Sequence, residues 1–367
     1  MLYHLLVPLS DVHIVFNLFR YITFRAAGAM VTALILSFLM GPWIIRRLRA
    51  LRVGQVVRDV GPSEHLSKAG TPTMGGVLIL AATTLSTLLW ANLSRENVII
   101  ALVVLLWTGT LGFADDYLKV VRKRTEGLVA RYKLVGQGLL GLLVALFLLT
   151  VPIMDHPTWS MVPFFADWHV EFLPWAFVPW VMFVLAGSSN AVNLADGLDG
   201  LAAGLAAIAA ATFAVFAYVI GRVDTSAYLG LTYIPGAGEL TIFCVAVAGA
   251  ALGFLWFNAH PAEVFMGDTG SLALGGAIGV VAILLQMEFL LVVVGGVFVM
   301  EAVSVILQVG WFRWTASRTG QGRRVFAMAP IHHHFEQKGW PESKVIIRFW
   351  ILGILFALMA FSTLKIR

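Results

Sequence analysis

Apolar stretches of about 20 residues recur along the whole chain, and each is long enough to cross ~30 Å of hydrocarbon as a helix. A backbone inside a bilayer must satisfy its own N–H and C=O groups, which a helix does within one segment. Composition agrees, with 59% hydrophobic and only 12% charged residues, about half the charged share of a soluble domain. The expected fold is therefore all-α: a polytopic integral membrane protein with about ten transmembrane helices. They are placed over 24–45, 74–92, 97–116, 132–152, 174–192, 199–220, 239–258, 268–286, 289–312 and 343–363. With no fixed-period repeat or low-complexity tract, residues 1–367 read as a single integral domain. The first 19 residues contain no Lys or Arg and are interrupted by His4, Asp11 and His13. They lack the basic start of a signal peptide, so a short interfacial segment is expected.

Three loops, 46–73, 117–133 and 313–344, carry six Lys or Arg residues each, whereas the opposite side has six in all. The positive-inside rule puts these loops in the cytoplasm and both termini outside. An odd number of spans would break that partition. The net charge of +5 either attracts anionic lipid or an acidic ligand, or only obeys topology; no nucleic-acid partner is expected. Cys244 lies alone within a span and cannot form an internal disulfide.

On this map, acidic residues gather at short turns on the basic side. Asp115 and Asp116 in "LGFADDYLK" (111–119) end the third span, Asp196 and Asp199 in "NAVNLADGLDGLA" (190–202) join the fifth and sixth, and Asp268 in "FMGDTGS" (265–271) opens the eighth. Asn193, Asp196, Asp268, Thr269 and Ser271 also suit a plainer role as helix N-caps, since short polar side chains satisfy orphan amides. Asp115 and Asp116 do not, because the C-terminal end of a helix disfavours negative charge. Two adjacent anions there need cations, either Lys119 and Lys123 nearby or a divalent metal gathered by several turns. Mg2+ takes oxygen ligands, keeps waters and is usually completed by substrate phosphates, so a phosphate-handling site is expected. Lys68 in "KAGTPTMGG" (68–76), the basic loops and the amides at helix starts supply anion-binding groups. Gly75 and Gly76 are a weak signal, since this is no Walker sequence.

The third basic loop contains "MAPIHHHFEQKGW" (328–340). Rings of consecutive helical residues diverge by about 100°, so only one or two of His332, His333 and His334 can reach a common ligand; packing or capping is the other reading. Without cysteine partners a structural zinc site is not expected.

These residues carry a family resemblance. The chain resembles the phospho-N-acetylmuramoyl-pentapeptide transferase (translocase I) family, within the polyprenyl-phosphate N-acetylhexosamine-1-phosphate transferase superfamily. The likeness runs in order through "YITFRA", "GQVVRDVGPSEHLSKAGTPTMGG", "GFADDYLKVVRKRTEGLVARYK", "NAVNLADGLDGLA", "GFLWFNAHPAEVFMGDTGSLALGG", "GGVFVMEAVSVILQVG" and "RVFAMAPIHHHFEQKGWPESKVIIRFW". Departures are confined to outer loops such as 153–173 and 221–238. The resemblance implies Mg2+-dependent transfer of phospho-N-acetylmuramoyl-pentapeptide from UDP-MurNAc-pentapeptide to undecaprenyl phosphate, giving lipid I and UMP. It implies ten helices in the bacterial inner membrane, an active site on the cytoplasmic face, and a homodimer. It assigns Asp115, Asp116 and Asp268 to catalysis with His332, and Asp268 to the Mg2+. It places Asn193, Asp196 and Asp199 in the nucleotide region, Phe265 on the uracil, Lys68, Lys119, Lys123 and Lys133 around nucleotide or phosphate, and His332 to His334 along the phosphate site.

Other classes remain to be weighed. "TPTMGG" and "APIHHHFE" separate the family from sister transferases that use UDP-N-acetylglucosamine. "DTGS" is also an aspartic-protease signature, but that chemistry needs two apposed carboxylates in a different setting. Glu301 within the ninth span suggests a transporter, because an ionisable group inside a membrane is a functional candidate.

Overall fold

The computed structural model describes residues 1–50, 70–124, 127–165 and 168–365. Nine of the described helices are long and apolar enough to cross a membrane. They are α2 (Ile22–Ala50), α4 (Glu96–Val120), α5 (Ala130–Thr150), α6 (Pro174–Ala195), α7 (Leu201–Ile220), α9 (Leu240–Asn258, with the 3-10 turn before it), α10 (Gly267–Leu284), α12 (Gly296–Thr319) and α14 (Glu342–Ser362). Shorter helices are α1 (Leu2–Leu6), α3 (Gly76–Trp90), α8 (Val223–Leu229), α11 (Glu288–Val294) and α13 (Ile331–Gln337). Residues 1–20 form α1 and two 3-10 turns with no buried residue, as suits an interfacial segment.

Two expected spans differ. The second is α3, whose 15 residues reach about 22 Å at 1.5 Å each, less than a hydrocarbon core. Its start is delayed because Met74 stands at φ +70° and the chain there is held by the segment before α10: Gly75 N donates to Phe265 O and Gly76 N to Met266 O, both over 2.9 Å, and Phe265 N donates to Pro72 O over 2.8 Å. The ninth breaks at Gly295 into α11 and α12, and α12 then continues to Thr319, beyond the expected end at 312. Adjacent glycines are weak helix formers, and the break falls on that pair.

α10 is the central helix, buried at every residue from Thr269 to Leu284, with α4, α6 and α3 against it. Small residues let backbones approach in the absence of a hydrophobic drive between helices. A methyl group at Gly76 would collide with the Gly270 backbone, and one at Gly112 with the backbone of Asp268. These close approaches bring the C-terminal part of α4 beside the N-terminus of α10.

Both described ends of the chain lie at the other end of the bundle. The Met1 amine donates to Leu88 O (2.6 Å) at the end of α3, and Lys365 Nζ sits 4.0 Å from the Tyr228 ring centroid in α8. There Arg25 Nη1 and Nη2 donate to the Glu239 carboxylate at 2.7 and 2.6 Å. Glu239 also accepts from Asn92 N (2.9 Å), and Arg25 lies over the Tyr3 ring. A two-stranded antiparallel hairpin, β1 (Trp159–Met161) and β2 (His169–Glu171), joins α5 to α6 at this end.

Candidate active site

Asp115 and Asp116 sit one turn before the end of α4 and are buried. Successive side chains on a helix diverge by about 100°, so these two meet different neighbours. Asp116 caps a helix to which it does not belong: Oδ1 accepts from Asp268 N (3.1 Å), and Oδ2 accepts from Thr269 N (2.9 Å) and the Thr269 hydroxyl (2.7 Å). Its charge thus rests on the positive end of α10, which offsets the unfavourable end of α4. Neither Asp268 nor Thr269 caps α10 itself, which has no cap from its own residue Met266.

Asp115 turns toward the lysines. Its Oδ1 accepts from Leu128 N (2.6 Å), and its Oδ2 pairs with Lys119 Nζ one turn on and with Lys133 Nζ (2.9 Å) from α5. Both ammonium groups also reach Asp268 Oδ2, Lys119 at 3.2 Å and Lys133 at 2.5 Å. The two lysines therefore bridge α4 to α10. Asp115 Oδ2 is held there by charge, with no aligned hydrogen bond.

Oxygen atoms of Asp115, Asp116 and Asp268 all lie within 4.8 Å of one another. Three carboxylates face two ammonium groups, leaving one negative charge in excess. Nearby Asp196, just past the end of α6, has its carboxyl pushed up to about 8, first by burial and then by the carboxylates of Asp268, Asp116 and Asp199. The site thus resists further anions and suits an added cation. A hard, all-oxygen donor set fits Mg2+, with Asp268 the available ligand, since Asp116 is engaged by the start of α10 and Asp115 by the Leu128 amide and two lysines.

The turn between α6 and α7 lies beside this cluster. Asn193 Oδ1 accepts from the Ser271 hydroxyl of α10 (3.1 Å). Asp199 is buried, its Oδ2 accepting from Ala262 N (3.1 Å) and lying 3.2 Å from His260 Nδ1, while Asp199 N donates to Glu342 Oε1 (2.9 Å). Asp199, His260 and Glu342 form a second close group. Phe265, half-buried, is fixed by its backbone bonds to Pro72 and Gly75.

The remaining expected residues fall differently. Lys68 lies outside the described residues. Lys123 is exposed, with φ +52°, and pairs with no described acid. The histidines separate as their helical spacing requires. His332 is fully buried, with Nδ1 3.1 Å from Glu301 Oε1; His333 Nδ1 lies 2.6 Å from Glu336 Oε2; His334 Nδ1 accepts from Ala327 N (3.0 Å). His332 and His334 make no contact with the Asp115, Asp116 and Asp268 group among the described residues.

One polar group escaped the sequence reading. Gln137, one turn after Lys133, donates to the Ser189 hydroxyl (3.2 Å) and accepts from Asn190 Nδ2 (2.8 Å), while Ser189 donates to Leu272 O (3.0 Å), one turn after Asp268. This bridge ties α5, α6 and α10 in register directly beneath the lysines. Its signal was present, since Gln137 interrupts an apolar run four residues from Lys133.

The profile of glycosyl transferase family 4 matches residues 98–286, and the phospho-N-acetylmuramoyl-pentapeptide-transferase signature 1 matches residues 68–80. The chain is similar over its full length to proteins named phospho-N-acetylmuramoyl-pentapeptide-transferase, each also covered in full. It is 58% identical to that of Gemmatimonas aurantiaca and 54% identical to those of Citrifermentans bemidjiense and Desulfatibacillum aliphaticivorans.

Proposed function

This chain belongs to the phospho-N-acetylmuramoyl-pentapeptide transferase family, and from that premise we propose that its reaction centre is the cluster of Asp115, Asp268, Lys119 and Lys133, with Asp116 holding α10 in place. The enzyme transfers phospho-N-acetylmuramoyl-pentapeptide from its UDP carrier to a polyprenyl phosphate, forming lipid I in peptidoglycan synthesis. The observation that carries the site assignment is the convergence of acids from α4 and α10 with lysines from α4 and α5 at one edge of the bundle. A water-soluble donor and a lipid phosphate can meet only at such an edge.

In the proposed reaction a phosphate oxygen of undecaprenyl phosphate attacks the β-phosphorus of UDP-MurNAc-pentapeptide in line. The new P–O bond forms as the bond to UMP breaks, and UMP leaves with that oxygen. Lys119 and Lys133 are placed to take up charge on the transferring phosphoryl oxygens, exchanging carboxylate partners for phosphate ones. Asp268 would hold the Mg2+, which would supply charge neutralisation at the diphosphate, and Asp115 would position the lysines beside it. Asp115 is poorly suited to act as a base, because two ammonium groups and the Leu128 amide engage its oxygens. Nor is a base much needed: a phosphate monoester, with its second pKa near ~6, is mostly dianionic at pH 7. Asn193, Asp196, Asp199 and Phe265 are proposed to receive the nucleotide, with Lys68, Lys123, His333 and His334 on the approach to it.

The setting is proposed to be the bacterial inner membrane, with the cluster on the cytoplasmic face, both termini outside and two copies associated as a homodimer. Solubilised protein given undecaprenyl phosphate, Mg2+ and either UDP-MurNAc-pentapeptide or UDP-N-acetylglucosamine tests the function. UMP release with the muramoyl donor is expected; release with the other donor alone overturns the assignment. Exchange of labelled UMP into the donor in strictly lipid-free protein would replace direct attack by a covalent enzyme intermediate.

A further inference from the structure

Among the described residues, Glu301 is the one acidic residue buried in the middle of a long span that the reaction above leaves unused. Its carboxylate is fully buried on a mostly apolar stretch of α12, where Ser304, one turn on, donates to the Glu301 backbone carbonyl (2.7 Å). The group facing it is His332 of α13, itself fully buried, with Nδ1 3.1 Å from Glu301 Oε1. Removing an acid and an imidazole from water is costly, and a pair of apolar side chains would fill the space at least as stably. Stability therefore does not account for the pair.

The other edge of the imidazole does. Nε2 is the atom nearest to where a Cβ would stand on Gly197, so any side chain there would collide with the ring. Gly197 lies between Asp196 and Asp199, in the turn joining α6 to α7. Both ring nitrogens and both Glu301 oxygens lack an aligned hydrogen bond among the described residues. A contact within hydrogen-bond distance but poorly aligned in the free protein can tighten once substrate is bound. Glu301, His332 and Gly197 thus form one line of contact from the interior of α12 to the turn.

We infer that Glu301 is a positioning residue that sets the His332 ring against Gly197 and so holds the Asp196–Asp199 turn in the form that receives the nucleotide of the donor. The inference rests on the reading of that turn as the nucleotide side of the site. It gives His332 a place behind the turn, where its burial puts it, and gives the intramembrane acid a task other than transport.

The test is a double-mutant cycle with E301Q, which keeps the shape of the side chain, H332N and the double variant, each checked for a monodisperse, folded state in detergent. Donor KM and kcat are measured with UDP-MurNAc-pentapeptide, undecaprenyl phosphate and Mg2+. Each single variant is expected to raise the donor KM about tenfold, and the double to be no worse than the poorer single, as for residues that act through one contact. The KM for undecaprenyl phosphate should stay within about twofold, which general loosening of the fold would not achieve. Losses that multiply in the double variant, or wild-type kinetics for E301Q, overturn the inference. If E301Q does not fold, G197A displaces the same ring from the other side, and an unchanged donor KM there overturns it equally. No UMP release by the wild type would instead remove the nucleotide reading beneath it.

Discussion

The bundle buries charge at both ends, and the two arrangements differ in their balance of charge. At the end carrying the chain termini, one cation meets one anion: Arg25 donates two hydrogen bonds to Glu239, and Asn92 N donates a third. At the other end three carboxylates meet two ammonium groups, Asp115 Oδ2 lacks an aligned hydrogen bond, and both lysines are shared between acids. The first network is closed and fastens α2 to the start of α9. The second is open to a cation and an anion together, which is what a bound metal and diphosphate would supply. Burial of charge alone does not distinguish a fastening from a site; the balance of charge does.

The largest effect is expected from removing a charge at the open end. D268N should lower UMP release about 10³-fold or more, a loss of the size seen when a group stabilising the transition state is removed, and should weaken the dependence on Mg2+. The thermal midpoint of the solubilised protein should change little, because the charge excess is relieved. Near-normal turnover would remove Asp268 from the reaction and make the two ends alike.

R25M probes the closed end. It leaves Glu239 buried without a cation, at a cost of about 3–5 kcal/mol, read as a lower unfolding midpoint. Turnover per folded molecule should be unchanged. Replacing both partners, as R25M with E239L, should recover most of the stability, since a buried pair and an apolar pair are often equivalent. Loss of turnover in a folded R25M protein would show that the two ends are coupled.

A smaller change is expected from Q137L. It removes the bonds of Gln137 to Ser189 and Asn190, which keep their donations to Leu272 O and Ala186 O, costs about 1 kcal/mol, and frees α5 to shift against α10. Turnover should fall about tenfold with the donor KM nearly unchanged, because Lys133 stays present but is held less firmly. A folded Q137L protein with full turnover would mean that the lysines do not need that register.

What the sequence made legible follows from the range of the interactions. Apolar length and the placing of Lys and Arg are properties of one segment at a time, so span order and the gathering of Asp115, Asp196 and Asp268 on one edge could be read directly. The break at Gly295 was signalled only by a pair of glycines within a run that otherwise reads as continuous. Contacts between segments were not legible. Asp116 looked like a charge at the wrong end of its own helix, and only the docking of α10 supplies the amides it caps. Asp268 and Thr269 looked like caps of their own helix, yet they are the residues being capped. That the three adjacent histidines diverge was legible from helical spacing, but their partners, Glu301, Glu336 and the Ala327 amide, were not.

The smallest prediction separates the two adjacent acids. In D116N the amide oxygen can still accept from Asp268 N, and the new NH2 group can donate to the Thr269 hydroxyl, which reverses its role. Only Thr269 N is then left facing a donor, at a cost of about 1 kcal/mol, in the range for losing a helix cap. If Asp116 serves by holding the start of α10, turnover should fall about tenfold as Asp268 loses its fixed position, far less than in D268N, and added Mg2+ should recover part of it. A D116N protein as inactive as D268N at any Mg2+ concentration would instead place the Asp116 carboxylate in the chemistry, and a helix start that close to the metal would then be serving to orient a reactant rather than to be held by one.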